Sequence, residues 1–400
     1  MRQTFVRLLL VAAAGFFSAW YLYRYAEIER WRDVSPALLA WGLLWWCGAG
    51  VREISVHVAG TNEPPASLMF AAGTAALLTV LRFTLAWRHL SVPVLFLLPV
   101  MALAATGSFD TATHPIAGWW SVAWIAAIAI HCWIQSRLES EWPMFFRGAW
   151  HRGVLWLVVF LGSWEVWWVI DRVAAGIPTW SVAGWILVPA ATIVAVPALM
   201  RIVDWPFRRF SREYSDALIP VAAVAGAWVL STSAVLGDPS PLPYVLLANP
   251  LELAQVLVLF VLLRWSWRVG RAELRRPAWY VWSLLAFAVL NGIIARATHF
   301  YGGVDFDLMS LWSSARYQAA VSIVWTAVAL VAMLTASWLK SRTVWFSGAA
   351  VLTAVVVKLF VVDLVDVNTV ARIVSFVGVG VLMLLVGYLS PLPPRLTEQS

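Results

Sequence analysis

Charge is what this chain has least of. Asp, Glu, Lys and Arg supply 12% of its 400 residues, against about 25% in an ordinary soluble domain, which excludes water as the main solvent. Cysteine is nearly absent. Cys47 and Cys132 each stand in an apolar run with no C-x-x-C, so a disulfide framework and a thiolate metal site both drop out. The six His residues, at 57, 89, 114, 131, 151 and 299, form no H-x-x-H or H-x-x-x-H pair. That leaves no metal site of standard spacing and no cofactor to assign. P-loop, G-x-S-x-G and H-E-x-x-H motifs are also missing. No basic-plus-aromatic stretch lies outside an apolar context, so nucleic acid is excluded as a partner. The net charge of +7 points instead to anionic membrane lipid.

What the chain has is apolar length. Hydrophobic residues make up 62%, mean hydropathy is +0.80, and there are 28 Trp, a residue that favours membrane–water interfaces. Runs long enough to cross a bilayer, about 20 residues each, fall near 4–23, 34–50, 65–82, 91–107, 115–133, 153–170, 181–200, 216–235, 244–263, 278–296, 317–338, 343–362 and 369–390. The expected fold is therefore all-α: a polytopic transmembrane helix bundle of about thirteen spans. It forms a single transmembrane domain over residues 1–400 with no soluble domain.

Lys and Arg set the orientation. Twenty of the 28 fall in alternate loops and in the tail at Arg395, and the loops around 108–114 and 236–243 have none. Loops rich in Arg on one side predict a cytoplasmic C-terminus. The amino end conflicts with this pattern, because Arg2 and Arg7 precede the first apolar run. The stretch to Ala19 resembles a signal-peptide core, but apolar residues continue through Tyr23, which predicts an uncleaved span.

The last hundred-odd residues carry a recognisable set of sequences. These are Leu290-Asn291-Gly292 with Ala295-Arg296-Ala297-Thr298-His299, then Val357-Lys358-Leu359-Phe360-Val361-Val362-Asp363-Leu364. Ala371-Arg372-Ile373-Val374-Ser375-Phe376 and Gly387-Tyr388-Leu389-Ser390-Pro391-Leu392-Pro393-Pro394 follow. Over about 285–394 the chain resembles domain-of-unknown-function family 2339, multi-spanning membrane proteins of bacteria. The resemblance implies a multi-pass protein of the bacterial inner membrane and brings no activity with it. Members are much longer and have a polar segment ahead of the spans. The chain therefore reads as a short member or the C-terminal portion of a larger protein.

Polar groups in the apolar phase are the remaining clue, since a mid-bilayer charge costs on the order of 3 kcal/mol and needs a partner or a use. Lys358, Asp363, Asp366 and Arg372 gather where the last two spans meet. They read as a staple, with Lys358 at the negative end of its helix and Asp363 paired to Arg372, or as a ligand-facing group. Gly292, Arg296 and His299 share one helix face, with Asn291 a turn deeper, and Asp305, Asp307 and Arg316 follow. Arg296 there reads as snorkelling to the interface, or the two groups build one extracytoplasmic pocket for an anion. Asp305 and Asp307 also match a metal–sugar-diphosphate pair, a pattern common by chance. Asn249-Pro250-Leu251-Glu252 reads as a capping box. It starts a helix near Pro250 and leaves 243–248 as a broken piece of the kind that lines transporter cavities. Glu165, among Trp164, Trp167 and Trp168, has no basic residue within a turn. It reads as protonated, paired to an Arg of another span, or facing a sugar or cation.

Three functions fit. The first is transport or handling of an anionic lipid or envelope component through the extracytoplasmic polar site. The second is an envelope enzyme that transfers a group from a lipid-linked carrier, with Asp305, Asp307 or Glu165 as its acid. The third is a non-catalytic scaffold or complex subunit whose partners are envelope proteins or lipid-linked glycans. Nothing in the chain favours the enzyme.

Overall fold

The computed structural model describes residues 2–58, 60–174, 177–268, 272–338 and 341–363, with the single positions 377, 384 and 388. All regular structure among them is helical. The α-helices are α1 (Arg2–Tyr25), α2 (Glu29–Arg32), α3 (Ser35–His57), α4 (Glu63–Thr84), α5 (Leu97–Thr111), α6 (Trp119–Leu138) and α7 (Met144–Val173). They continue as α8 (Pro178–Ile202), α9 (Ser211–Ser233), α10 (Pro250–Arg268), α11 (Ala272–Gly302), α12 (Leu308–Ser313), α13 (Ala315–Trp338) and α14 (Arg342–Lys358). Proline opens α3, α4 and α8 at the first positions, where its missing N–H costs nothing and its φ suits the helix.

Ten stretches are long and apolar enough to cross a membrane: Phe5–Tyr25, Gly60–Thr84, Arg88–Phe109, Met144–Val173, Pro178–Ile202, Ser211–Ser233, Pro250–Trp267, Pro277–Gly302, Ala315–Trp338 and Val344–Val361. Each overlaps one of the thirteen expected spans. Two more expected spans, 34–50 and 115–133, lie on α3 and α6, which are 23 and 20 residues long but less apolar. Arg52 and Glu53 dilute α3; His131, Gln135, Arg137 and several Trp dilute α6. The last expected span, 369–390, lies outside the described residues except for three isolated positions. Helix α10 begins at Pro250, as the Asn249-Pro250 cap predicts, and the apolar run that starts at 244 enters it from irregular backbone over 234–249.

The fold divides into two compact units, Met1–Val229 with Leu253–Trp282, and Leu230–Glu252 with Ser283–Ser400. In the first, α1 packs along α3 and α4 along α6. The α1–α3 contact is close because both helices present glycine. A methyl group on Gly15 would sit 2.9 Å from the Gly42 Cα, and Ala12, Ala19 and Ala49 are buried beside it. Small residues of this kind replace hydrophobic drive in lipid, where tails are as apolar as Leu. The core of the unit joins α1, α3 and α4 to α5, α6 and α7.

Loops of like parity meet in this unit. Tyr23, at the end of α1, donates to the Ala86 carbonyl beyond α4. Arg82 forms a two-point pair with Glu141, Nη2–Oε1 2.8 Å and Nε–Oε2 3.0 Å. Arg209, after α8, reaches Glu139 at 4.0 Å. Four Arg-rich loops of the charge pattern, those after α1, α4, α6 and α8, thus meet in this unit. Large apolar side chains such as Phe17, Leu103 and Ile125 remain exposed, as expected where lipid is the solvent.

In the second unit, α13 and α14 form a packed pair around Ala329, Met333 and Leu352. Helix α11 approaches the end of α9 so closely that a Cβ on Gly292 would stand 2.5 Å from the Ser233 carbonyl oxygen.

Candidate functional site

The irregular segment 234–249 shapes the charged centre of the second unit. Gly237 takes φ +65°, a left-handed conformation that glycine adopts without strain. Its carbonyl accepts from Asn249 Nδ2 at 2.6 Å, and Asn249 Oδ1 caps α10 by accepting the Leu251 N–H at 2.8 Å. The expected N-cap is present, but the capping box is not closed by its acid. Glu252 turns instead to the Leu247 N–H (2.8 Å) and the Tyr244 hydroxyl (2.8 Å). Both residues of the central pair are fully buried: Arg296 Nη1 lies 3.5 Å from Glu252 Oε1. Arg296 also donates from Nε to the Val235 carbonyl and from Nη2 to the Thr232 carbonyl, each at 3.1 Å. These carbonyls come from the unwound end of α9, where helical acceptors are left over. Burial, then donation to Glu252, pushes the Tyr244 phenol well above its ordinary value.

The expectation that Arg296 snorkels to the interface is therefore corrected. Its guanidinium faces inward because Glu252 and two orphan carbonyls lie there. His299 is used locally, with Nδ1 2.7 Å from the Val304 carbonyl. Asp307 caps α12, accepting the amides of Met309 and Ser310, and Ser310 holds its carboxyl below the usual value. Asp305 is exposed. Arg316 donates to the Gly302 carbonyl at the end of α11. Asn291 accepts from Trp325 Nε1 at 3.2 Å, tying α11 to α13. Lys358 donates to the Gln318 carbonyl (3.1 Å) and the Ser322 hydroxyl (2.9 Å) of α13. The Arg296 and Lys358 groups thus take different partners. The side chain of Asp363, and Asp366 and Arg372 entirely, lie outside the described residues. No group of three or more metal-ligating side chains is found among the described residues.

Glu165 takes a histidine of another segment as its partner, and no Arg pairs with it among the described residues. Its Oε2 lies 3.0 Å from His114 Nδ1 and accepts the Ile116 N–H at 3.2 Å, so it clamps the α5–α6 connection. His114 also stacks on Trp168 at 3.6 Å. The partner is 51 residues away in sequence, out of reach of any reading by turns.

The sequence reading missed a second buried polar cluster, in the first unit. Glu139 Oε2 lies 3.1 Å from His151 Nε2, and His151 Nδ1 lies 3.3 Å from the Tyr214 hydroxyl. Trp205 Nε1 donates to the same carboxylate at 3.3 Å. Two turns of α6 lead away from it, carrying Gln135 and His131. Both are buried, and neither Gln135 Nε2 nor His131 Nε2 has a hydrogen-bond partner among the described residues. The signal was present: 131, 135 and 139 share one helix face at i, i+4, i+8. It carries no metal-ligand spacing, because Gln135 and Glu139 stand where a second and third His would make one.

The first unit also holds an apolar cleft of about 950 Å³ between α3, α4 and the stretch 92–107. It runs from Pro36, His89 and Pro93 to Pro64, Val51 and Gly107, about fifteen residues along each helix or roughly 22 Å. His89 is fixed at one end by the Ser35 hydroxyl, 3.2 Å from its Nδ1, and exposed Arg88 is on the same turn.

Long apolar helices, apolar surface and buried ion pairs define a multi-pass membrane protein. The chain belongs to the family of predicted membrane proteins described as domain of unknown function 2339, which matches residues 4–393 and so extends well beyond the C-terminal signature. Neither the curated proteins nor the solved structures contain a match to it.

Proposed function

We propose that this is a bacterial inner-membrane protein that handles an anionic lipid, binding one of its apolar chains in the cleft of the first unit. The observation that carries the reading is the cleft itself. Its lining is almost wholly apolar, and it is longer than the roughly 15 Å of one leaflet's hydrocarbon. One end lies at the turn that bears Arg88 and His89, with Arg24 exposed on the same side of α1. A chain lying along α4 places its headgroup among these cations, where each basic residue near the surface contributes about 1 kcal/mol to anionic lipid binding. In this reading the headgroup contact moves from the extracytoplasmic pocket to the Arg-rich face, because Arg296 is already committed to Glu252.

On the same reading the Arg-rich loops and the C-terminus are cytoplasmic, and α3 and α6 cross the bilayer with their ten more apolar neighbours. The scaffold reading is favoured by one observation, the complete internal pairing of Glu252. The enzyme reading loses support, because Asp307 is occupied as a helix cap and Glu165 as a loop clamp.

Native mass spectrometry of the protein extracted in mild detergent tests the lipid reading. One co-purifying anionic lipid is expected in the wild type. Ala71→Phe and Ala104→Phe, which fill the cleft, are expected to lose it while remaining folded by circular dichroism. Equal lipid retention in both variants, or no lipid in the wild type, overturns it.

A further inference from the structure

The buried cluster of the first unit contains the components of a proton site. A carboxylate and an imidazole nitrogen 3.1 Å apart share at least one hydrogen, since two lone pairs at that distance repel. On its other side the imidazole meets a hydroxyl at 3.3 Å, a group that donates or accepts by rotating. Phe210 stacks on the ring at 3.9 Å and holds it between the two. Beyond them, His131 and Gln135 place buried side-chain nitrogens that have no hydrogen-bond partner among the described residues. An unsatisfied buried polar group costs about 1–3 kcal/mol, so such atoms call for a use.

We propose that Glu139, His151 and Tyr214 form a buried proton-binding site on the Arg-rich face, reversibly taking up one proton that the hydrogen-bond chain Glu139–His151–Tyr214 then shares. In the deprotonated state Nε2–H of a neutral His151 donates to the Glu139 carboxylate, and Nδ1 accepts from Tyr214. The added proton makes Glu139 a carboxylic acid, whose carbonyl oxygen still accepts from Nε2–H of His151. Only O–H bonds change, and the proton comes from water.

The surroundings set the direction of the response. Arg147 and Arg209 face Glu139, His131 faces His151, and Cys132 faces Tyr214. Glu213 and Arg152 pass beside Gly148, one turn ahead of His151. Burial dominates these charges and raises the Glu139 carboxyl above its ordinary value. Uptake as carboxylic acid removes the negative charge that Arg209 approaches and that Trp205 donates to. The site therefore senses pH through the α8–α9 connection, which carries both residues.

Infrared difference spectroscopy on the full chain in nanodiscs, between neutral and acidic buffer, tests this. A protonated-carboxyl band is expected to appear on acidification in the wild type and to be missing from Glu139→Gln. Arg209→Ala, a change at an exposed residue, is expected to move the midpoint of that band to higher pH by removing a cation. Glutamate labelled with ¹³C identifies the band without a substitution at 139, should Glu139→Gln fail to fold. Superimposable difference spectra for wild type and Glu139→Gln, or no midpoint shift in Arg209→Ala, overturn the proposal.

Discussion

Arg296 and Glu252 show how an expensive residue is made tolerable in lipid. Removing one partner of a buried pair costs about 3–5 kcal/mol, because the other charge is left unpaired in low dielectric. Arg296→Met is expected to lose that much stability, since among the described residues Glu252 then keeps the Tyr244 hydroxyl and the Leu247 N–H but no cation. The double variant Arg296→Met, Glu252→Gln is expected to recover part of it. Denaturant titration in micelles measures both; single variants within about 1 kcal/mol of wild type would contradict a fully paired centre. Glu139 gives a pH-dependent counterpart. Its folded carboxyl value is raised by burial, so its favourable contribution is complete below the unfolded value and is lost as pH rises through the folded one. The melting temperature of wild type relative to Glu139→Gln is expected to fall across that window and to level off above it. Sequence alone marked Arg296 and Glu252 as residues to explain, but it did not pair them. They are 44 positions apart, and the acceptors at 232 and 235 exist only because α9 unwinds there.

At the scale of the helix, packing distance decides tolerance. A Cβ on Gly292 meets the Ser233 carbonyl, a backbone atom with no rotamer to yield. Gly292→Ala is therefore expected to destabilise by about 1–3 kcal/mol, as overpacking does, and Gly15→Val to separate α1 from α3. Thermal melts of both variants in the same detergent report these costs; unchanged melting would show that the helices shift without strain. Helix positions were largely legible because an apolar run of span length leaves few alternatives. The start of α10 was legible from Asn249 and Pro250, which fix a cap and a first turn by local chemistry. Glu165 was not. Its partner His114 stands on a loop whose path depends on how α5, α6 and α7 pack.

For the molecule as a whole, sidedness is the property most open to direct test. With Cys47 and Cys132 replaced, single cysteines at exposed Ser140 and exposed Thr113 should behave oppositely toward an impermeant thiol reagent on intact cells. Thr113→Cys is expected to be labelled and Ser140→Cys protected until the membrane is opened; the reverse result inverts the proposed topology.

The centre around Arg296 also bears on how the chain enters the bilayer. Every partner described for that guanidinium, at Thr232, Val235 and Glu252, is synthesised before it. When α11 leaves the ribosome the acceptors are already in place, and the cation never has to wait in hydrocarbon. Glu252 arrives first and is accompanied meanwhile by Tyr244 and the Leu247 amide, both also earlier in the chain. Vectorial synthesis thus supplies both charges of this pair with hydrogen-bonding hosts that precede them in the chain. Moving the segment 230–252 behind α11 by permutation would take that protection away while leaving the finished contacts available.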